Sequence, residues 1–294
     1  MYRKIMGFLE GWKESEHRKP LILQGARQVG KTYSLLEFGR THYENVAYFN
    51  FETNPKLNET FEENISPDYL IPILSHIAGQ TIVKEKTLMV FDEVQLCERA
   101  LTSLKYFCEN APDYHIIVAG SLLGVAVNRA KFSFPVGKVD MKTLYPMDME
   151  EFMLALGEDD LVKQIKKCFQ TDTPLPSALH DAAMQLYRQY LVVGGMPECV
   201  MQFAGTKDYI LVRHTQDTIL ASYLNDMSKY NTLNEIKKTR LAYDNITVQL
   251  SKKNTRFQYK LIKKGGRASE FENAIEWLCL SGIVSQVYKV EQIK

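Results

Sequence analysis

The sequence has no apolar run long enough to cross a membrane and no secretory signal. Its longest apolar stretch, residues 116–127, falls short of the roughly 18–20 residues that a transmembrane helix needs, and glycine and serine interrupt it. The N-terminal residues soon become polar and contain no apolar core of the kind that secretory signals carry. These two absences predict a cytoplasmic protein that does not contact a membrane.

Cysteine is also scarce, and no charge of one sign is in excess. The five cysteines are widely spaced and include no CxxC pair, which argues against a disulfide framework and against a structural zinc site. The 36 basic and 35 acidic residues leave a formal net charge of +1. Whole-protein charge therefore indicates no partner, and electrostatic arguments must come from local clusters.

Length and composition are those of an ordinary folded protein. Hydrophobic residues make up 45% of the chain and charged residues 24%, so the chain can form a sizeable core. A length of 294 residues predicts two domains, or three small ones.

Short apolar runs alternate with helical segments in the first half of the chain. Five runs are predicted to be strands, at residues 20–24, 46–51, 87–91, 115–119 and 139–144. Strands separated by helices predict βαβ units and a buried parallel sheet. The expected fold class is α/β, over a first domain of residues 1–146 that begins with an amphipathic helix.

After residue 146 the pattern changes to helices alone. Four helices are predicted, at residues 147–157, 161–169, 178–191 and 207–229. They predict an all-α second domain over residues 147–230.

A phosphate-binding loop is predicted directly after the first strand. Residues 25–32 match the pattern GxxxxGK[ST], and they lie between a predicted strand and a predicted helix. In such a loop successive backbone N–H groups point at phosphate oxygens, Lys31 reaches the β- and γ-phosphates, and the Thr32 hydroxyl binds magnesium. The alternative is a structural glycine turn. The predicted nucleotide-binding residues here are Gly25, Ala26, Arg27, Gln28, Val29, Gly30, Lys31, Thr32 and Tyr33.

Two carboxylates follow the third predicted strand. Asp92 and Glu93 end an apolar run, at the strand end where open α/β sheets bind ligands. Asp92 is predicted to hold magnesium, and Glu93 is predicted to activate the attacking water as general base. The alternative is a solvated strand end without a catalytic role.

A polar residue also follows the fourth predicted strand. Ser121 is the candidate for a residue that senses the γ-phosphate, in ATPases whose sheet inserts a strand between the phosphate-loop strand and the Asp-Glu strand. The alternative is a helix N-cap, because an apolar segment follows.

Other phosphate-loop enzymes fit this sequence less well. A GTPase would need an NKxD motif and a DxxG after the Asp-Glu strand, and the sequence has neither. Small-molecule kinases usually lack a glutamate beside the magnesium-binding aspartate. The sequence therefore predicts ATP hydrolysis, with ATP and Mg²⁺ as ligands.

Five motifs, in this order, resemble a bacterial and archaeal family of AAA+-class ATP-binding proteins. They are GARQVGKT, FDEVQ, GSLLG, PVGKVDMKTLYPMDMEEF and YLVVGGMPE. The family is distantly related to origin-recognition ATPases and to signal-transduction ATPases with numerous domains. Its members usually continue for about 100 further residues into a domain that resembles restriction-type nucleases. The resemblance thus implies that this chain, ending at Lys294, is a shortened form.

The resemblance implies a strand order of 5-1-4-3-2 and a helical lid. It also places Gly195 and Pro197 where related signalling ATPases contact the nucleotide with a Gly-x-Pro. The alternative is a helix–loop–helix turn, since glycine and proline punctuate helices anywhere. No pattern singles out an arginine finger among the four candidates Arg27, Arg99, Arg129 and Arg213.

The last segment, residues 231–294, is predicted to be a winged helix. Helices are expected at 234–246, 247–254 and 269–280, with strands from Ile283. Ten basic residues crowd positions 237–267 of the segment, namely Lys237, Lys238, Arg240, Lys252, Lys253, Arg256, Lys260, Lys263, Lys264 and Arg267. Such a cluster is typical of phosphate binding and predicts an interaction with double-stranded DNA. The alternatives are a solvated face and a surface for a protein partner.

Two functions remain in competition at this point. The first is an ATP-driven switch whose winged helix binds DNA. The second is a nucleotide-gated scaffold with little turnover and a protein partner on the winged helix, and either could form homo-oligomers. A DNA-binding regulator with a decayed nucleotide site is disfavoured by the intact Lys31, Thr32, Asp92 and Glu93.

Overall fold

A computed structural model describes residues 1–120, 135–229, 233–252 and 256–288. The chain divides into two compact units, an N-terminal unit of Met1–Gln216 and a C-terminal unit of Asp217–Lys294. The three predicted domains, with boundaries after residues 146 and 230, stay a prediction.

The N-terminal unit is built on a five-stranded sheet whose neighbouring strands are all parallel. The strands are β1 (Leu21–Gln24), β2 (Asn45–Asn50), β3 (Thr87–Asp92), β4 (His115–Gly120) and β5 (Asp140–Thr143). Their order is β2-β3-β4-β1-β5, which confirms the predicted order of 5-1-4-3-2 and the insertion of β4 between β1 and β3. The α/β fold class is confirmed as well.

Ten helices of the described chain flank or follow the sheet up to residue 229. They are α1 (Ile5–Lys13), α2 (Lys31–His42), α3 (Lys56–Glu63), α4 (Pro67–Ala78), α5 (Glu98–Asn110), α6 (Met149–Ala155), α7 (Asp159–Gln170), α8 (Ser177–Val193) and α9 (Pro197–Thr206), with α10 (Tyr209–Lys229) as the tenth and longest. The sequence pattern missed α3 and α9, both of which are short.

The core lies against the inner strands β3 and β4. All six residues of β3 and of β4 are buried, as continuous apolar runs in a parallel sheet require. Beside the end of β3, Phe49, Phe51, Phe61 and Phe91 pack with ring centroids 5.6–5.9 Å apart. This aromatic cluster fixes the chain at the point where β3 ends in Asp92, because edge-to-face rings add directional contacts to simple burial.

The strand register brings chemically important residues to one edge of the sheet. Asn50 pairs with Asp92 across β2 and β3, and Gln24 pairs with both Gly120 and Thr143. These are the carboxyl ends of the strands, where open α/β sheets bind ligands. The phosphate-loop motif and the Asp-Glu pair therefore share one edge.

The C-terminal unit contains α11 (Leu233–Leu250), a short 3₁₀ turn (Tyr259–Leu261) and α12 (Ala268–Leu280). Five residues of α12 are buried, namely Phe271, Ala274, Ile275, Trp277 and Leu278. Two side-chain amides of α11 hold the turn: Gln249 Nε2 donates to the Gln258 carbonyl at 3.0 Å, and Asn245 Nδ2 donates to the Leu261 carbonyl at 3.1 Å.

Two details of the winged-helix prediction are wrong. The separate helix expected from residue 247 is the end of α11, because the helical hydrogen bonding continues unbroken to Leu250. The strand expected from Ile283 does not form within residues 283–288, where Val287 is 93% exposed. Alternating apolar residues make a strand only when a neighbouring strand pairs their backbone groups. The winged helix as a whole stays a prediction.

Candidate nucleotide-binding site

The loop between β1 and α2 has the backbone conformation that its glycines permit. Gly25 has φ +153° and Gly30 has φ +90°. A side chain at residue 25 is also excluded by space, because a Cβ there would lie 2.2 Å from the Leu144 carbonyl oxygen. Gly30 directly precedes α2, so the loop lies at the N-terminus of a helix. The backbone N–H groups and the helix dipole at such an N-terminus favour the binding of an anion.

Lys31 is folded into this loop. Its Nζ atom donates to the carbonyl oxygens of Gly25 and Ala26, each at 2.9 Å, and the residue is only 7% exposed. Burial lowers the pKa of the ammonium group to about 8, against the opposing effect of the nearby Glu93 and Asp92 charges. The loop therefore encloses the Lys31 ammonium group, which burial destabilises and the two nearby carboxylates stabilise.

Asp92 collects three hydrogen bonds at the end of β3. The Thr32 hydroxyl donates to its Oδ2 at 2.6 Å, the Tyr48 hydroxyl donates to the same oxygen at 2.8 Å, and the Glu93 backbone N–H donates to Oδ1 at 3.0 Å. Two predicted magnesium ligands, 60 residues apart in sequence, are thus in contact. A hydroxyl and a carboxylate are the hard oxygen donors that Mg²⁺ takes, usually together with phosphate oxygens and water.

Tyr48 is a site residue that the sequence pattern did not reveal. It lies in β2, one strand away from β3, and it appeared only as an ordinary strand residue. Burial raises the pKa of its hydroxyl to about 12, and the hydrogen bond to Asp92 adds to the rise. Tyr48 therefore remains protonated and keeps donating to the Asp92 carboxylate.

Glu93 is held in an unusual backbone conformation. Its φ of 52° and ψ of 39° lie in the left-handed region, where a residue with a side chain is disfavoured by about 1–3 kcal/mol. The conformation turns the chain sharply out of β3 and into the 3₁₀ turn of Val94–Leu96. The Gln95 side-chain amide donates a hydrogen bond to Glu93 Oε2, so the carboxylate is fixed in direction. Gln95 also went unnoticed in the sequence.

Comparisons with known proteins agree with this geometry. Residues 17–153 match the family described as "AAA domain". Residues 17–153 belong to the AAA-type P-loop ATPase family. Residues 184–293 match a "Domain of unknown function (DUF8612)". None of the curated proteins matches the sequence.

Several solved structures are similar to this chain over most of its length. The Walker-type ATPase PABY2304 of Pyrococcus abyssi is similar over 95% of this chain and 89% of its own, with a TM-score of 0.55 and 14% identity. Aeropyrum pernix ORC2, in ADPNP and ADP complexes, is similar over 97% of this chain and 87% of its own, with a TM-score of 0.46 and 12% identity. The Thermotoga maritima RuvB Holliday junction branch migration motor is similar over 97% of this chain and 88% of its own, with a TM-score of 0.41 and 13% identity. At such low identity the first likeness shows a common fold and nothing about activity.

Pro197 lies beside the phosphate loop of the AAA domain, whereas Gly195 has a packing role. The Pro197 Cγ atom is 3.6 Å from the position that a Cβ on Gly30 would take. Gly195 accepts a backbone hydrogen bond from Met147 at 2.6 Å, and a Cβ there would lie 2.1 Å from the Met147 carbonyl oxygen. Close backbone approach thus explains the glycine, and the proposed nucleotide contact through Gly195 and Pro197 stays a prediction.

The structure describes some of the remaining predicted residues and not others. Ser121 and Arg129 lie outside the described residues. Within the loop Ala26 and Val29 are buried, while Tyr33, in the first turn of α2, is 56% exposed. Arg99 Nε donates to the Phe61 carbonyl at 2.7 Å, which gives this arginine a role within the fold. No helix in the described part of the chain has the length and apolar character to span a membrane.

Proposed function

We propose that this chain binds Mg-ATP in its AAA domain and hydrolyses it, acting as a nucleotide-dependent switch. One observation carries the proposal. The hydrogen bond from Thr32 to Asp92 joins the phosphate loop to the Asp-Glu pair and leaves a hydroxyl and a carboxylate together beside Lys31. A structural glycine turn or a solvated strand end gives no reason for that convergence.

The residues divide the work by their chemistry. The loop N–H groups and the Lys31 ammonium bind the β- and γ-phosphates, and Thr32 and Asp92 hold Mg²⁺. The metal ion, when bound, neutralises charge that develops on the phosphate oxygens. Glu93 accepts the proton of the attacking water as general base.

A slower variant of this function has support from Gln95. The Gln95 amide donates a hydrogen bond to Glu93 Oε2, so the protein already occupies one acceptor position of the carboxylate that the attacking water would need. That contact favours the second candidate, a nucleotide-gated scaffold with little turnover and a protein partner.

Mg-ATP titration calorimetry and phosphate release, measured on the same preparation, test the proposal. Binding with turnover supports the ATPase switch, and binding without turnover supports the scaffold. Absence of Mg-ATP binding would rule out both. The mass in solution with and without ATP would show in addition whether nucleotide changes the oligomeric state.

We expect the affinity for Mg-ATP to fall as pH rises from 7 to 9. The Lys31 pKa of about 8 means that the ammonium group loses its charge within this range. The free energy of unfolding should instead rise between about pH 8 and pH 10.5. In this range the unfolded chain keeps a proton on Lys31 that the folded chain has released. Calorimetry and urea unfolding at several pH values measure the two trends, with Lys31→Arg as the variant that stays charged.

An affinity that stays constant over this pH range in the parent, or that falls equally in Lys31→Arg, would show that Lys31 does not provide the charge that the phosphates bind.

DNA binding by the C-terminal unit rests on a local excess of positive charge. No acidic residue occurs between positions 245 and 269, a stretch that holds seven lysines and arginines. In the described part of it, Lys252, Lys260, Lys264 and Arg267 are exposed, and the turn that carries Lys260 is fixed to α11 by Asn245 and Gln249. A fixed, basic, exposed segment suits phosphate contacts without base-specific readout. Lys253 lies outside the described residues, and Lys263 is 3.5 Å from Glu270.

We expect the chain to bind short duplex DNA with similar affinity for unrelated sequences. Affinity should fall with salt at a log–log slope of about −0.9 for each lysine that contacts a phosphate. Lys252→Ala with Lys264→Ala should flatten that slope by about two units for every sequence tested. Fluorescence anisotropy over a range of salt concentrations measures it.

The matched control is Lys84→Ala with Lys163→Ala, which removes two exposed lysines of the N-terminal unit. A slope that changes equally in both double variants, or that is absent in the parent, would count against DNA and favour a protein partner.

A further inference from the structure

Arg3 is a buried arginine with no assigned role, and it touches the phosphate loop. It precedes α1 and is only 3% exposed. Its guanidinium makes three hydrogen bonds in three directions: NH1 to the Val29 carbonyl at 2.8 Å, NH2 to the Tyr145 carbonyl at 2.8 Å, and Nε to Glu151 Oε1 at 3.1 Å. A planar fork of five N–H donors can reach several acceptors at once, which lysine cannot do.

The contact with Val29 fixes the orientation of a phosphate-loop peptide. The carbonyl of Val29 and the N–H of Gly30 belong to one planar, trans peptide unit, so they point in opposite directions. By holding the carbonyl, Arg3 directs the Gly30 N–H away from itself. Gly30 has φ +90°, and glycine visits many other conformations freely, so the loop needs an external contact to keep this one.

Arg3 forms an ion pair with Glu151, which lies in α6, the first helix after the sheet. Glu151 is 5% exposed, and its Oε1 also accepts the Lys4 backbone N–H at 2.7 Å. Its Oε2 accepts the Asp148 backbone N–H at 3.2 Å, while Asp148 Oδ1 accepts the Glu151 N–H at 2.9 Å. This reciprocal pair is the capping box that starts α6, so Glu151 cannot move without disturbing the helix start.

Arg3 thereby joins four parts of the N-terminal unit: the segment before α1, the phosphate loop, the chain after β5, and α6. A buried ion pair adds little stability compared with apolar packing, because both charges must leave water. Its value here is directional, since an apolar residue at position 3 would give the Val29 carbonyl no donor.

We propose that Arg3 is a positioning residue for nucleotide binding, which orients the Gly30 N–H toward the phosphates and is itself oriented by Glu151. The proposal rests on the proposed function, because it requires that the loop binds a nucleotide. The Arg3–Glu151 pair links the conformation of the loop to the start of α6.

The test compares Arg3→Gln with Lys4→Gln in the full chain. Lys4 is next in sequence, and its ammonium pairs with Asp148 and Glu150 at the surface, away from the loop. We expect Arg3→Gln to weaken Mg-ATP binding by about tenfold or more, because a charged hydrogen bond to the loop is lost. Lys4→Gln should bind Mg-ATP like the parent. Titration calorimetry gives the dissociation constants, and the rise in Tm on adding Mg-ATP gives an independent readout.

A purely structural role for Arg3 predicts a different pattern. It would lower the Tm with and without Mg-ATP by the same amount, leaving the nucleotide-dependent rise unchanged, and that result would overturn the proposal. If Arg3→Gln does not fold, Arg3→Lys takes its place, since it keeps the charge but loses the fork. Parent-like affinity in a folded Arg3→Lys would also overturn the proposal. Failure of the parent to bind Mg-ATP would instead refute the proposed function.

Discussion

Replacing Lys31 by alanine should abolish most of the affinity for Mg-ATP. The substitution removes the ammonium group that the loop encloses, and with it the charged hydrogen bonds to the phosphates. Two or more such bonds correspond to a loss of about 100-fold or greater. Titration calorimetry with Mg-ATP measures the loss directly.

The fold should survive this substitution. Lys31 Nζ contacts the Gly25 and Ala26 carbonyls, so its removal leaves the apolar core untouched and relieves the cost of burying a charge. Lys56→Ala, at an exposed position that begins α3, is the matched control and should bind Mg-ATP like the parent. Parent-like affinity in Lys31→Ala, together with an unchanged Tm, would mean that the loop does not bind phosphate.

Replacing Glu93 by glutamine should stop turnover and leave Mg-ATP binding intact. The amide keeps the shape of the side chain and its contact with Gln95, but it cannot accept a proton from water. Loss of a general base typically lowers the rate by ~10²–10⁴-fold. Steady-state phosphate release and calorimetry on the same preparation separate the two effects.

Asp92→Asn is the contrasting variant, because the two neighbouring carboxylates have different predicted roles. Asp92 accepts hydrogen bonds from Thr32 and Tyr48 on one oxygen, and its charge is the part that Mg²⁺ needs. We expect Asp92→Asn to weaken the magnesium-dependent part of ATP binding. If Glu93→Gln hydrolyses ATP at the parent rate, Glu93 is a charge at a strand end without a role in catalysis.

Local patterns in the sequence were sufficient to place most of the sheet and the loop. Apolar runs in buried parallel strands are nearly continuous, so β3 and β4, which are buried throughout, could be located from the residues alone. The phosphate-loop pattern could also be recognised from the sequence. Its glycines are needed locally, because the backbone has positive φ at residues 25 and 30. Those constraints act within a few residues, which is the range over which sequence patterns carry information.

The C-terminal segment shows where such patterns stop being sufficient. The apolar residues after Ile283 alternate as in a strand, yet residues 283–288 form none. A strand depends on a partner that supplies the other half of its hydrogen bonds, and no local pattern specifies that partner.

What the sequence by itself determined was the set of candidate residues for phosphate and magnesium binding: the loop, Lys31, Thr32, Asp92 and Glu93. What only the tertiary structure decided was how those groups are held. Tyr48 reaches Asp92 from the neighbouring strand, and Arg3 reaches the loop from the chain terminus while Glu151 holds it from 148 residues away. The reason is physical: each of these contacts joins segments that are distant in sequence, so the contact exists only after the sheet and the helices around it have packed.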